Sequence, residues 1–240
     1  MIDTHAHLDA LDEDPADVVA RAHAAGVTRI LTIGTAQAVE LAAAHDGVYA
    51  VVGVHPHDAG READLDELRR LLAHPKAVAV GEIGLDYYRD YAPHDAQQDL
   101  FAAQMALAVE VDKPIVIHTR AADEDTEQML RGFGGTVVLH CFSSPHLLPT
   151  ALDRGWYVSF AGNVTYKNAT DLRLAATQVP AERILAETDC PYLAPQPVRG
   201  RKNEPAYVVH TLDALAQVRR VEPADLAARI EANATACFGL

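Results

Sequence analysis

The sequence predicts a single α/β domain over residues 1–240, a closed (β/α)8 barrel with its reactive groups at the C-terminal rim of the strands. Three observations lead there. Short Val- and Ile-rich stretches recur along the chain, each is followed by a polar or alanine-rich stretch of helical length, and 240 residues is the size such a barrel needs. An open doubly wound sheet shares this alternation, because it too has apolar strands covered by helices. It lacks its usual mark here, since no Gly-x-Gly-x-x-Gly turn follows the first apolar stretch.

Taken in order, the strands are expected at 2–4, 29–34, 49–54, 77–82, 114–118, 136–140, 156–160 and 184–188, all short and rich in β-branched residues. Between or after them, apolar residues at helical spacing predict helices that include 15–25, 64–72, 96–111, 124–130 and 205–218. The proline-rich stretch 191–205 follows the last strand and reads as a functional loop rather than a domain boundary. The Asp and Glu residues between Asp58 and Glu67, Glu62 among them, read as a solvated helix start.

Composition narrows the function. No apolar run approaches the roughly 18 to 20 residues that cross a bilayer, and the first residues carry no basic or apolar leader pattern. Three widely spaced cysteines form neither a disulfide framework nor a zinc-knuckle pattern, so a reducing cytoplasm is expected. A formal charge of −14 argues against adhesion to nucleic acid through a basic face. It leaves room for an enzyme acting on phosphate esters, because two divalent cations would add four positive charges where the substrate docks.

The chemistry starts at Asp3-Thr4-His5-Ala6-His7. Residues two apart on an extended chain face the same side, so one cation could take both imidazoles. Alone the motif is weak: with 12 histidines in 240 residues, His-x-His arises by chance about 0.6 times, and His55-Pro56-His57 is a second instance. The weight comes from Glu82, His118, His140 and Asp189, each at the end of an apolar stretch, where barrel enzymes build their sites. Such groups are costly at a buried strand end unless paired or bound to metal. Six ligands exceed what one open tetrahedral ion uses and suit two divalent ions. The expected division puts His5, His7 and Asp189 on one ion, His118 and His140 on the other, and Glu82 between them. A water activated there is the expected nucleophile and Asp189 its general base. Four imidazoles favour Zn²⁺ or Mn²⁺ over Mg²⁺, though metal identity stays open among the three.

The segments Asp3-Thr4-His5-Ala6-His7-Leu8, Gly81-Glu82-Ile83-Gly84-Leu85-Asp86-Tyr87, Ile117-His118-Thr119-Arg120, His140-Cys141-Phe142-Ser143 and Glu187-Thr188-Asp189-Cys190-Pro191-Tyr192-Leu193-Ala194-Pro195 resemble the TatD-type metal-dependent deoxyribonucleases of the amidohydrolase superfamily. The likeness continues through Lys167-Asn168-Ala169 and the stretch from Arg199 to Pro205. It implies a TIM-type barrel, the six residues above as metal ligands, and hydrolysis of DNA phosphodiester bonds, with 3′-5′ exonuclease action expected. Ala6, Ala121 and Ser144 stand where the family often has Cys, Asp and Gly, which bears on loop shape and substrate contacts rather than on metal binding.

Other candidates are substrate contacts. Arg199, Arg201, Lys202 and Asn203 crowd the loop after the last strand and could hold a phosphate near the metals; a solvated basic loop is the alternative. His55 and His57 could face the leaving group or a base, or serve as caps or as supports behind the metal ligands. Arg120 and Lys167 could contact phosphate. Glu187, on the same side of its strand as Asp189, is a candidate acceptor for a ligand imidazole. Tyr87 and Tyr88 could stack on bases or pack on a helix. The expected activity is therefore a metal-dependent DNase acting on single strands, ends or damaged sites, in a monomer without membrane contact. The alternatives are a dinuclear hydrolase of a small ester, amide or lactone, and a scaffold with a structural metal.

Overall fold

In the computed structural model, which describes residues 1–61, 63–89 and 91–240, eight parallel strands pair in sequence order. They are β1 (Ile2–Ala6), β2 (Arg29–Gly34), β3 (Val48–Val52), β4 (Ala77–Asp86), β5 (Ile115–Arg120), β6 (Val137–Leu139), β7 (Tyr157–Phe160) and β8 (Ile184–Ala186). A bridge between Ala6 and Cys190 joins the last strand's extension to the first. His7 N donates to Cys190 O at 2.8 Å and Asp189 N to His5 O at 2.9 Å, which brings the ring close to full closure and removes the free edge an open sheet would expose.

The helices alternate with the strands: α1 (Pro15–Ala24), α2 (Ala36–Ala44), α3 (Leu65–Leu72), α4 (His94–Glu110), α5 (Asp123–Leu130), α6 (Leu148–Arg154), α7 (Thr170–Gln178) and α8 (Val208–Arg219), with an additional α9 (Pro223–Phe238) at the end. Their starts follow local chemistry. Asp14 caps α1 by accepting from Ala16 N at 2.9 Å, with Pro15 in the first turn, and Asp64 caps α3 by accepting from Glu67 N at 2.9 Å. Asp64 is thus a cap within the acidic stretch 58–67, of which Glu62 lies outside the described residues.

Strand positions agree with the expectation, and strand ends differ in ways that matter. β4 runs to Asp86 rather than stopping at Glu82, and β5 to Arg120 rather than His118. Glu82 therefore lies inside its strand. It sits at a register shift, since Gly81 pairs with Val116 and Ile83 with Ile117. His5 lies at another, between the Asp3–Ile30 and Ala6–Thr32 pairs. An extra residue in one strand bends it and re-aims a side chain, so these two bulges turn His5 and Glu82 without ending the strands. Gly84 lies opposite His118 in the β4–β5 ladder with φ +136°, and a Cβ there would run into the His118 carbonyl. Glycine lets the two strands close beside the site.

The layers beneath the rim are apolar, with Ile30, Leu31, Ile83, Ile115, Ile117 and Phe160 fully buried. Between them and the rim lies a polar layer. Asp3 is fully buried and accepts from Thr188 N at 2.9 Å and from the Thr188 hydroxyl, tying β1 to the segment after β8. Burial first of all raises its carboxyl to about 8. Among the described residues no helix is long and apolar enough to cross a membrane.

Candidate metal centre

All six candidate ligands gather at the C-terminal side of the barrel, on the floor of a cavity of about 1230 Å³ whose lining includes His7, Glu82, His118, His140 and Asp189. His5 is fully buried beneath it. The two oxygens of Glu82 divide the donors. Toward Oε2 lie His5 Nε2 at 3.4 Å and His7 Nε2 at 3.8 Å, and these nitrogens are 3.5 Å (His7) and 3.9 Å (His5) from Asp189 Oδ1. Toward Oε1 lie His118 Nδ1 at 2.6 Å, His140 Nε2 at 2.8 Å and His55 Nε2 at 3.4 Å. Three triads, His5–His7–Glu82, His5–His140–Asp189 and His55–Glu82–His118, each bring three donor atoms within 4.8 Å of one another.

Electrostatics sets the protonation of this cluster. Burial, reinforced by the neighbouring His140, holds the His5 imidazole down at about 3, so it is neutral with a free lone pair. Burial works against His140 too, but Glu82 and Glu187 outweigh it and raise His140 well above the ordinary histidine range. Against its own burial cost, Glu82 is held well below the usual carboxylate range by His140, His55 and His118. His5 stacks on His140 with ring centroids 3.8 Å apart.

These donors fit divalent cations. Four imidazole nitrogens and two carboxylates form a nitrogen–oxygen set of the kind Zn²⁺ or Mn²⁺ takes. His5 Nε2 and His7 Nε2 face each other at 3.3 Å between two carboxylates, and His5 Nδ1 is buried with no partner among the described residues. It is Nε2 of each ring that is turned into the site, where the lone pair of the neutral His5 ring is available to a cation.

Supporting groups hold the rings. Fully buried Glu187 accepts from Cys141 N at 2.7 Å and faces His140 Nδ1 at 3.1 Å, leaving Nε2 turned toward Glu82. Fully buried Asp86, which sequence reading passed over, meets His57 Nε2 at 2.7 Å and His118 Nε2 at 3.2 Å through one oxygen. Its position two turns of the pleat beyond Glu82, in a strand longer than expected, was the signal that would have found it. Of the roles open to His55, the structure shows a cap, Nδ1 accepting from His57 N at 3.0 Å, while Nε2 joins the Glu82 Oε1 cluster. Asn163 also lines the cavity, with a buried Oδ1 that lacks a partner among the described residues.

The substrate candidates separate. His55, His57 and Arg120 line the cavity, together with Arg61 and Arg89, while Lys167, Arg199, Arg201, Lys202 and Asn203 are not among its lining residues. Asn203 is buried, and its amide donates to Thr188 O at 2.9 Å and Tyr192 O at 2.6 Å, bracing the loop after β8. Arg199 lies over the Tyr166 ring at 4.1 Å, and Lys202 pairs with Asp12. Tyr87 packs on His94, centroids 3.7 Å apart, and bonds Asp125, whereas the exposed Tyr88 carries Arg120 over its face at 4.0 Å.

The family model described as TatD related DNase matches residues 2–239. The chain belongs to the TatD family. Within it, the chain is 40% identical over 251 residues to the uncharacterized metal-dependent hydrolase YabD of Bacillus subtilis, covering 99% of this chain and 98% of that protein. It is 38% identical over 242 residues to the 3′-5′ ssDNA/RNA exonuclease TatD of Salmonella typhimurium, covering 94% of this chain and 93% of that protein. Among solved structures, the TatD homolog YJJV from Escherichia coli superposes with a TM-score of 0.93 at 29% identity, over 100% of this chain and 98% of that one. The TatD family accounts for the barrel and for the order in which the five sequence segments occur.

Proposed function

We propose that this chain is a metal-dependent nuclease that hydrolyses DNA phosphodiester bonds at a two-cation centre, working from 3′ ends of single strands. The observation that carries the reading is the division of donors between the two oxygens of one buried carboxylate, Glu82, at the floor of an open cavity bordered by Arg61, Arg89 and Arg120. His5, His7 and Asp189 would hold one cation and His118 and His140 the other, with Glu82 between them and His55 within reach of the second. Cations bound there would neutralise phosphate charge and acidify a water.

The residues of the chain supply the rest. Arg61, Arg89 and Arg120, all on the cavity wall, give the phosphate charge-assisted hydrogen bonds there. Asp189, whose side chain is partly open to the cavity, takes the proton of the attacking water as the oxygen bonds phosphorus. The P–O3′ bond breaks, and Asp189 returns the proton to the departing 3′ oxygen. His57, held by Asp86, stands on the wall beside His55 and fixes that side of the cavity. The Salmonella relative's name, a 3′-5′ ssDNA/RNA exonuclease, supports both polarity and strand preference.

The test is hydrolysis of an end-labelled single-stranded DNA by metal-stripped protein with Mg²⁺, Mn²⁺ or Zn²⁺ restored in turn. Cleavage is expected only with metal, as a ladder of products shortened from the 3′ end. Asp189→Asn and Glu82→Gln should each lose at least about a hundredfold in rate, the scale of a lost proton acceptor. Protein that takes up metal yet cleaves no DNA, while hydrolysing a small ester or lactone, would overturn the nuclease reading.

A further inference from the structure

Six large apolar or aromatic side chains stand exposed among the described residues: Tyr88, Tyr91, Val109, Leu174, Tyr192 and Val221. Two of them, Tyr91 (64% exposed) and Tyr192 (58%), line the cavity of the metal centre. Leaving a tyrosine in water at the mouth of an active site forgoes the burial that aromatic rings usually find, which calls for a reason.

The other tyrosines near the rim have their faces taken. Tyr87 stacks on His94 at 3.7 Å, Tyr88 carries Arg120 at 4.0 Å, and Tyr166 carries Arg199 at 4.1 Å. Among the described residues, Tyr91 and Tyr192 instead show near-perpendicular ring contacts, with His57 (4.7 Å, 85°) and His7 (5.9 Å, 71°). A perpendicular contact steadies a ring while leaving a face uncovered. These contacts also sort the two rings to the two halves of the centre. His7 faces Glu82 Oε2, whereas His57 packs beside His55 (4.2 Å), which faces Glu82 Oε1.

From this we propose that Tyr91 and Tyr192 are stacking platforms for two nucleobases of a single strand, one on either side of the phosphate held at Glu82. The inference rests on the nuclease reading and adds its subsites. Stacking of this kind tolerates any base, because every base offers a π-face, and it demands a strand whose bases can be splayed apart. Duplex DNA, with its bases stacked on one another, cannot occupy both platforms. Nor does a small ester need two aromatic faces flanking the centre.

The experiment uses the full metal-loaded chain, a short 5′-labelled oligothymidylate, and fluorescence anisotropy for binding beside the cleavage assay. Tyr91→Ala and Tyr192→Ala should each weaken binding about tenfold or more, with Tyr91→Phe and Tyr192→Phe restoring it, since phenylalanine keeps the face and loses only the hydroxyl. An oligonucleotide with abasic residues at its two 3′-terminal positions should bind wild-type protein weakly and show little further loss in the alanine variants. Tyrosine-dependent binding without cleavage would uphold the platforms and sink the nuclease reading. Normal cleavage and binding by both alanine variants would sink the platforms and leave the nuclease standing. Absence of any oligonucleotide binding by the wild type would overturn both.

Discussion

At Asp86 one carboxylate oxygen serves two imidazoles, His57 and His118, while the other accepts from the amides of Tyr88 and Arg89 at 3.0 Å each. Its own amide is held by Gln97 Oε1 at 2.8 Å. Such a carboxylate cannot rotate, so the imidazoles adjust to it. By holding His118 Nε2, it leaves Nδ1 as the atom that faces Glu82. Asp86→Asn keeps the size and the backbone contacts but removes the charge that orients both rings. Calorimetric titration of metal-stripped protein should then show affinity at one of two sites reduced about 10- to 100-fold, the usual cost of losing such a support, with the fold retained by circular dichroism. Unchanged affinity at both sites would reduce Asp86 to a fastener of the turn after β4.

At the scale of elements, β4 and β5 must approach closely for Glu82 and His118 to meet, and Gly84 is what permits it. Gly84→Ala would set a Cβ against the His118 carbonyl and force a φ of +136° on a residue that resists it. A loss of about 2 kcal/mol or more in denaturant unfolding is expected, with metal affinity falling alongside because the strand that shifts carries a ligand. Stability lost without loss of metal would mean that β5 gives way elsewhere. The same pair of strands marks the limit of what the sequence reveals. Apolar stretches and their spacing located every strand and placed His5, His7, Glu82, His118, His140 and Asp189 together on one side of the barrel. Strand ends are harder to read, because Glu82 resembles a polar stop, whereas a bulge carries it inward and the strand continues through Leu85 to Asp86, beyond the reach of the local pattern. The basic stretch from Arg199 to Lys202 was legible as charge but not as direction, since which way a loop folds depends on buried anchors such as Asn203 and on rings such as Tyr166 that no local pattern reveals.

Over the whole molecule the chain is strongly anionic, at −14, and its cations are largely engaged far from the cavity. Arg21 pairs with Glu204, Arg29 with Glu231 and Arg69 with Glu110, while Lys76 and Lys113 donate to backbone carbonyls. Three arginines, Arg61, Arg89 and Arg120, border the cavity among the described residues. Each phosphate neutralised on a single strand releases counterions worth a slope of about 0.7 in log Kd against log salt, so three give roughly 2. A nuclease that relied on a basic face would show a far steeper dependence. Binding of a short oligothymidylate to the metal-loaded protein, measured across a series of KCl concentrations, should therefore fall with a slope near 2 and depend more on Tyr91 and Tyr192 than on salt. A slope of about 5 or more would mean that additional cations reach the strand, and the exposed Arg199 and Arg201 would be the first to replace with alanine. The net charge of −14 fixes the sense of this result: a long strand finds little general attraction over the protein, so its hold is expected where the three arginines and two tyrosines border the metal centre.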